Sequence, residues 1–127
     1  EHLRRQRQMC IRDSTKIEKV FFPGNDKRHK EIAEKQMDGF GGMMSFVIDS
    51  DINGVKTFLK NLNLFTLAES LGGVESLIEH PAIMTHASID PSIREKLGIS
   101  ETLLRISVGI EDVDDLISDL DQALSKI

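Results

Sequence analysis

Arg105 is the residue of this chain best suited to hold a ligand. In residues 103–108, LLRISV, Leu104, Ile106 and Val108 alternate with Leu103, Arg105 and Ser107. Alternation at period two marks a strand with one apolar face. Arg105 is therefore expected to project from the opposite face of a rigid element. A guanidinium held that way presents a planar fork suited to bidentate recognition of a carboxylate. From the residues alone, a salt bridge to a surface acid is an equal alternative.

A second concentration of chemistry lies in residues 65–86, FTLAESLGGVESLIEHPAIMTH. Its small and polar residues set it apart from the amphipathic segments on either side, and irregular polar turns are the usual setting of binding residues. Ser70 sits in AESLGG, where glycines permit sharp turns and close approach of a ligand. No His/Asp pairing in the sequence marks it as a nucleophile, and capping of the following turn is the plainer role. Glu79, His80 and His86 have metal-ligand chemistry, but H-x5-H across a proline does not align two ligands on one helical face. These histidines are expected to be structural.

Three further patterns are read the same way. GFGGM at residues 39–43 precedes a strand, whereas phosphate loops precede a helix N-terminus, so it is expected to be a turn. Glu111, Asp112, Asp114 and Asp115 crowd the start of a helix, where carboxylates complement its dipole; no metal site is expected there. Cys10, the one cysteine, forms no internal disulfide, fits a reducing compartment, and is not assigned as a nucleophile.

The elements that must position these residues follow from periodicity. Residues 17–22 are rich in β-formers and end at Pro23-Gly24, a strand and a turn. Residues 26–37 suggest a short helix with Ile32, Ala33, Gln36 and Met37 on one face. Met44, Phe46 and Ile48 form the apolar face of another strand. Val55, Phe58, Leu59 and Leu62 follow at helical spacing after cap-forming residues at 49–53. Residues 64–67 read as a short strand, and the stretch to 86 as loop. Pro91 and Ser92 open a helix that stops at Gly98. Val113, Leu116, Ile117, Leu120, Ala123, Leu124 and Ile127 form the last and clearest helix. The order predicts an α+β domain, a small mainly antiparallel sheet backed by helices.

At 127 residues there is room for one domain with a core. The net charge of −5 and the absence of Tyr and Trp argue against nucleic acid. No apolar run approaches the roughly 18 residues of a membrane helix, and no signal peptide is evident; a cytoplasmic protein is expected. The charge is uneven, however: residues 1–35 hold ten of the sixteen Lys+Arg. A native basic arm is one explanation. The favoured one is that residues 1–14, whose MCIRDS portion looks like translated sequencing adapter, are foreign to a domain at 15–127.

On FTLAESLGGVESLIEHPAIMTH and SETLLRISVG, residues 17–127 closely resemble the C-terminal domain of the cystathionine gamma-lyase and gamma-synthase family. These are pyridoxal-phosphate enzymes of sulfur amino-acid metabolism. The resemblance implies that Arg105 binds the α-carboxylate of an amino-acid substrate and that Ser70 lies beside it. It implies that Glu69 influences which substrate is accepted, and that Leu71 and Thr85 are weaker candidates for the pocket wall. The family has a GFGGM-type turn at the same place. Its cofactor lysine lies far upstream of this domain, so no catalytic residue is expected in this chain, which alone should be inactive. Lys16 follows Ser14-Thr15 in a different context and is not assigned that role.

The implied parent is a cytoplasmic homotetramer using pyridoxal 5'-phosphate. HPAIMTHASI leans toward the lyase, which releases cysteine, 2-oxobutanoate and ammonia from cystathionine. SLGGVESLI and ISETLLRIS also occur in synthase-type sequences, which join cysteine to an activated homoserine. A free-standing carboxylate-binding α+β module and a basic-armed interaction protein are the rival readings.

Overall fold

The structure, a computed structural model, describes residues 14–127. In chain order the elements are β1 (Ile17–Phe21), α1 (Lys27–Gln36), β2 (Met43–Ile48), α2 (Ile52–Lys60), β3 (Thr66–Leu67), β4 (Leu77–Glu79), α3 (Pro91–Lys96), β5 (Leu103–Ser107) and α4 (Val113–Leu124). The strands form one sheet in the order β1-β2-β5-β4-β3. Every pairing is antiparallel except β3 with β4. The expected α+β domain with a mainly antiparallel sheet is what the chain forms.

The centre of the sheet is dictated by alternation. Met44, Phe46 and Ile48 of β2 and Leu104 and Ile106 of β5 are buried on one face. The register sets Phe46 opposite Leu104 and Met44 opposite Ile106. Onto that face pack Val55 and Phe58 of α2 and Leu116, Leu120, Ala123 and Leu124 of α4. Phe46 and Phe58 meet edge to face, with centroids 6.3 Å apart, the arrangement ring quadrupoles favour.

Helix ends are set by aspartates. Asp26, Asp51, Asp90 and Asp112 cap α1, α2, α3 and α4 by accepting backbone N–H groups of the first turn, which otherwise lack partners. Hydrogen bonds from the Arg28 and His29 N–H groups hold the Asp26 carboxyl below its ordinary pKa. Those from the Ser92 hydroxyl and N–H do the same for Asp90. Past α3, Gly98 takes φ +80°, and the Ile99 N–H closes on Arg94 O at 2.8 Å. That is the left-handed stop expected at this glycine. At the far end of α4, Lys16 donates from Nζ to Leu124 O and Ile127 O, placing a cation where the helix dipole is negative.

Two elements differ from the sequence expectation. Residues 77–79 form β4 inside the stretch read as loop, with all three residues buried. Covered on both faces, they show no alternation, which removes the signal by which a strand is recognised. The helix α1 forms, but only its Ala33 is buried; Ile32 and Met37 of the expected apolar face are 44% and 45% exposed. Residues 1–13, including Cys10 and most of the segment expected to be foreign, lie outside the described residues.

Two polar anchors tie the irregular segments to this frame. Asp119 of α4 is buried and accepts the backbone N–H groups of Asn63, Leu64 and Phe65 at 2.8, 2.8 and 3.3 Å. It fixes the turn that leads into β3. Beyond β5, the Ser76 hydroxyl donates to Glu111 at 2.8 Å and accepts the Gly109 N–H at 2.8 Å. The Ile110 N–H bonds Val74 O at 2.9 Å. This approach is so close that a Cβ on Gly109 would stand 2.3 Å from Val74 O.

Asp119→Ala is expected to cost about 3 kcal/mol, since three backbone donors lose their acceptor at once. Urea unfolding should show the midpoint falling with the slope unchanged. Gly109→Ala is expected to cost about 2 kcal/mol or more, because the clash is with backbone that must shift rather than with a movable side chain. Proteolysis should then open first within residues 68–76.

Candidate active site

Arg105 stands on the sheet face away from the core, between Ser45 of β2 and Glu79 of β4 as its direct cross-strand neighbours. The strand reading of residues 103–108 placed it on this face. Its guanidinium Nη1 lies 3.0 Å from Glu79 Oε2, and the two side chains are 25% and 2% exposed. The salt bridge weighed as an alternative therefore exists, but with a buried partner rather than a surface acid. Sequestering a carboxylate without a partner is strongly unfavourable. Here the guanidinium takes one oxygen and the Thr85 hydroxyl donates to the other, Oε1.

The second arm of the fork reaches the loop that follows β3. Nη2 of Arg105 donates to Glu69 O at 3.1 Å and to Ser70 O at 3.3 Å. A guanidinium has five N–H donors in fixed geometry. Three protein acceptors leave part of the fork for a ligand. The loop is itself held to β5: Gly72, at φ +74°, donates its N–H to Ser107 Oγ at 2.8 Å. Leu71 is 55% exposed beside it.

The segment after β4 is pinned from the other side. Arg94 of α3 donates from Nη1 to Ala82 O and, at 3.4 Å, to His86 O. Thr85 Oγ1 lies 2.8 Å from His86 Nδ1. A hydroxyl has one proton, and that proton goes to Glu79, so Thr85 accepts from a His86 Nδ1–H. The chain of donors runs His86 to Thr85 to Glu79, and from the other side Arg105 to Glu79.

The structure thus brings Arg105, Glu69, Ser70 and Thr85 into one cluster, with Leu71 at its rim. Glu69 and Ser70 meet Arg105 through backbone carbonyls, leaving both side chains on an exposed loop. Glu79 is the member of this cluster that sequence reasoning missed, having weighed it only as a metal ligand with the two histidines. Its signal was present: an acid inside the run SLIEHPAI, among residues destined for burial, requires a cation nearby. The histidines go to separate partners, His80 through Nε2 to Glu101 O at 2.6 Å and His86 to Thr85. Among the described residues no group of three or more His, Cys, Asp or Glu is placed to hold a metal ion.

Two clefts lie away from this cluster. One of about 530 Å³ is lined by residues of β1 and the turn after it, including Phe21, Pro23 and His29. The other, of about 320 Å³, lies between α3 and the start of β5. Neither is lined by Arg105, Glu79 or Ser70. No helix of the described residues is long and apolar enough to cross a membrane.

Comparison with known proteins shows the family. Residues 8–125 match the family model described as Cys/Met metabolism PLP-dependent enzyme. A cystathionine beta-lyase of Lactococcus lactis subsp. cremoris is 55% identical over 117 residues, covering 91% of this chain and 30% of that protein. The crystal structure of cystathionine gamma-lyase from Lactobacillus plantarum, complexed with L-serine, superposes with a TM-score of 0.90 at 41% identity. It covers 99% of this chain and 33% of that one. Cystathionine gamma-synthase from Xanthomonas oryzae pv. oryzae, in complex with aminoacrylate and cysteine, gives 0.87 at 42% identity, over 98% of this chain and 34% of that one. The chain spans about a third of the length of these relatives. With the family model matching nearly its whole length, this chain belongs to the Cys/Met metabolism PLP-dependent enzymes.

Proposed function

We propose that this chain is the C-terminal part of a pyridoxal-phosphate-dependent transsulfuration enzyme, most simply a cystathionine gamma-lyase, and that it supplies the wall which binds the substrate's α-carboxylate. The observation that carries this reading is Arg105, fixed on a strand by Glu79 and by the carbonyls of Glu69 and Ser70, with donors of its fork still available. Ser70, whose carbonyl meets that fork, is assigned a further hydrogen-bonding role through its hydroxyl. Glu69 presents a carboxylate on the same loop, where it is suited to sorting substrates by the chain beyond their carboxylate. Leu71 and Thr85 complete the wall.

Pyridoxal phosphate, when bound, supplies the electron sink that lets a Cα proton leave. Lys16, the lysine of Ser14-Thr15-Lys16, has its Nζ committed to the carbonyls at the end of α4. The cofactor lysine is assigned to sequence upstream of this domain. The parent is taken to be a cytoplasmic homotetramer. Residues 1–14 are taken to be foreign to the domain, against which stands the opening of the family match at residue 8; the coding sequence across that junction tests this directly. An open reading frame continuing upstream to a cofactor lysine supports the reading, and a start signal immediately before residue 1 overturns it.

The synthase remains the second reading, favoured by the likeness to the Xanthomonas enzyme. Products separate the possibilities. Cystathionine cleaved to 2-oxobutanoate, cysteine and ammonia marks the lyase. Pyruvate and homocysteine instead would mark β-elimination, and cystathionine formed from cysteine and an activated homoserine would mark the synthase.

Two outcomes are expected. In the full-length enzyme, Arg105→Ala should raise the substrate KM about 100-fold, the loss of a charge-assisted contact, while the absorbance of bound cofactor stays intact; unchanged kinetics would refute the carboxylate role. Mixed with pyridoxal phosphate, this chain alone should give no stoichiometric borohydride-trapped adduct at a single lysine, as read by peptide mass spectrometry.

A further inference from the structure

We propose that Glu79 is a positioning residue for substrate binding: it sets the orientation in which Arg105 meets a carboxylate, and Thr85 sets the orientation of Glu79. The inference rests on the carboxylate reading of Arg105. Three observations carry it. Glu79 and Arg105 are direct partners in the β4–β5 register, so backbone pairing fixes the span between them. The Glu79 side chain is 2% exposed, so it cannot follow a wandering guanidinium into solvent. Both its oxygens are taken, Oε2 by Arg105 and Oε1 by the Thr85 hydroxyl, so the carboxylate is held in plane by groups on two different segments.

An ion pair kept only for stability has no need of such an arrangement. Replacing a buried pair by well-packed apolar residues is often neutral or stabilising. For ligand binding the pair has a distinct effect. Glu79 offsets the charge of Arg105, which weakens its general attraction for anions. It also removes the rotamer freedom that a free arginine would lose on binding a ligand. The balance favours a carboxylate that reaches the remaining donors of the held guanidinium over an anion that merely approaches it.

The two effects have opposite signs, so kinetics on the full-length enzyme separates them. Glu79→Ala is expected to raise the amino-acid KM about tenfold, with kcat changed less than about twofold, as for loss of one hydrogen bond to a charged group. Glu79→Gln keeps an acceptor for Arg105 and can give an N–H to the Thr85 oxygen. It is expected to return KM to within about threefold of the parent value. If Glu79 acted only through its charge, both variants would lower KM, because the guanidinium would be left uncompensated. If it acted only on stability, both would lower the melting temperature and leave KM in place. Either result overturns the proposal.

Coupling gives the second arm. In an Arg105→Ala background, adding Glu79→Ala should leave KM where it was, since a positioning residue has nothing left to position. A further tenfold rise there would overturn the proposal. Should Glu79→Ala fail to fold, Thr85→Val removes the second hold on Glu79 while sparing the ion pair. It is expected to raise KM about threefold, and an unchanged KM counts against the inference. Failure of the underlying reading looks different: Arg105→Ala itself would then leave KM unmoved.

Discussion

The burial of one carboxylate constrains the face of the sheet that carries Arg105. Glu79 is enclosed between β5, the loop after β3 and the segment that follows β4. A carboxylate removed from water demands compensation, and only a partner with full charge and fixed geometry supplies it. Arg105, delivered to the opposite register position by antiparallel pairing, is that partner. Once the pair is fixed, the rest of the face follows. The carbonyls of Glu69 and Ser70 close on the other arm of the guanidinium, so lifting the loop away breaks two charge-assisted hydrogen bonds. Thr85 must come down on Glu79 Oε1, and Arg94 holds the backbone that brings it there.

The opposite face of the sheet obeys a different constraint and carries no chemistry. Phe46, Ile48, Leu104 and Ile106 are each at most 1% exposed and pack under α2 and α4. Interiors of this kind are close-packed and resist displacement. Because successive residues of a strand point to opposite faces, that apolar packing fixes where Arg105 points as firmly as its own hydrogen bonds do. A one-residue slip of β5 would put a guanidinium into the core and Leu104 and Ile106 on the opposite face. The rigidity of the site is therefore inherited from the far side of the sheet.

This division explains what could be read from the sequence. β2, β5, α2 and α4 were legible because each has one wet and one dry face, and the resulting period is a local property of the chain. The position of Arg105 followed from that period alone. β4 was not legible, since Leu77, Ile78 and Glu79 are all buried and burial on both faces erases alternation. Ser70 illustrates a second limit. Its type and its neighbouring glycines suggested a loop near a ligand, but its link to Arg105 runs through a backbone carbonyl, which every residue has. The apolar stripe expected on α1 was correctly placed in the sequence, yet Ile32 and Met37 are not buried against the described residues. Periodicity shows which face is apolar, whereas what covers it is a property of the assembled protein.

The location of the site within the family's longer chains gives the arrangement its logic. On the proposed reading, Arg105 meets the one group that cystathionine, cysteine and an activated homoserine have in common, their α-carboxylate. That contact is carried by strands, which the core holds still. Groups that tell those substrates apart must reach the parts that differ, and on the same reading they are assigned to the loop of Glu69, Ser70 and Leu71, whose side chains are exposed. Loops tolerate exchange of side chains better than the strands they join. An enzyme built this way can change its preferred substrate by altering the loop while its carboxylate anchor stays in place. Relatives named as beta-lyase, gamma-lyase and gamma-synthase superposing on, or aligning with, the same chain are what such a division of labour leads one to expect: the fixed part of the site serves all of them, and the reaction is decided by what surrounds it.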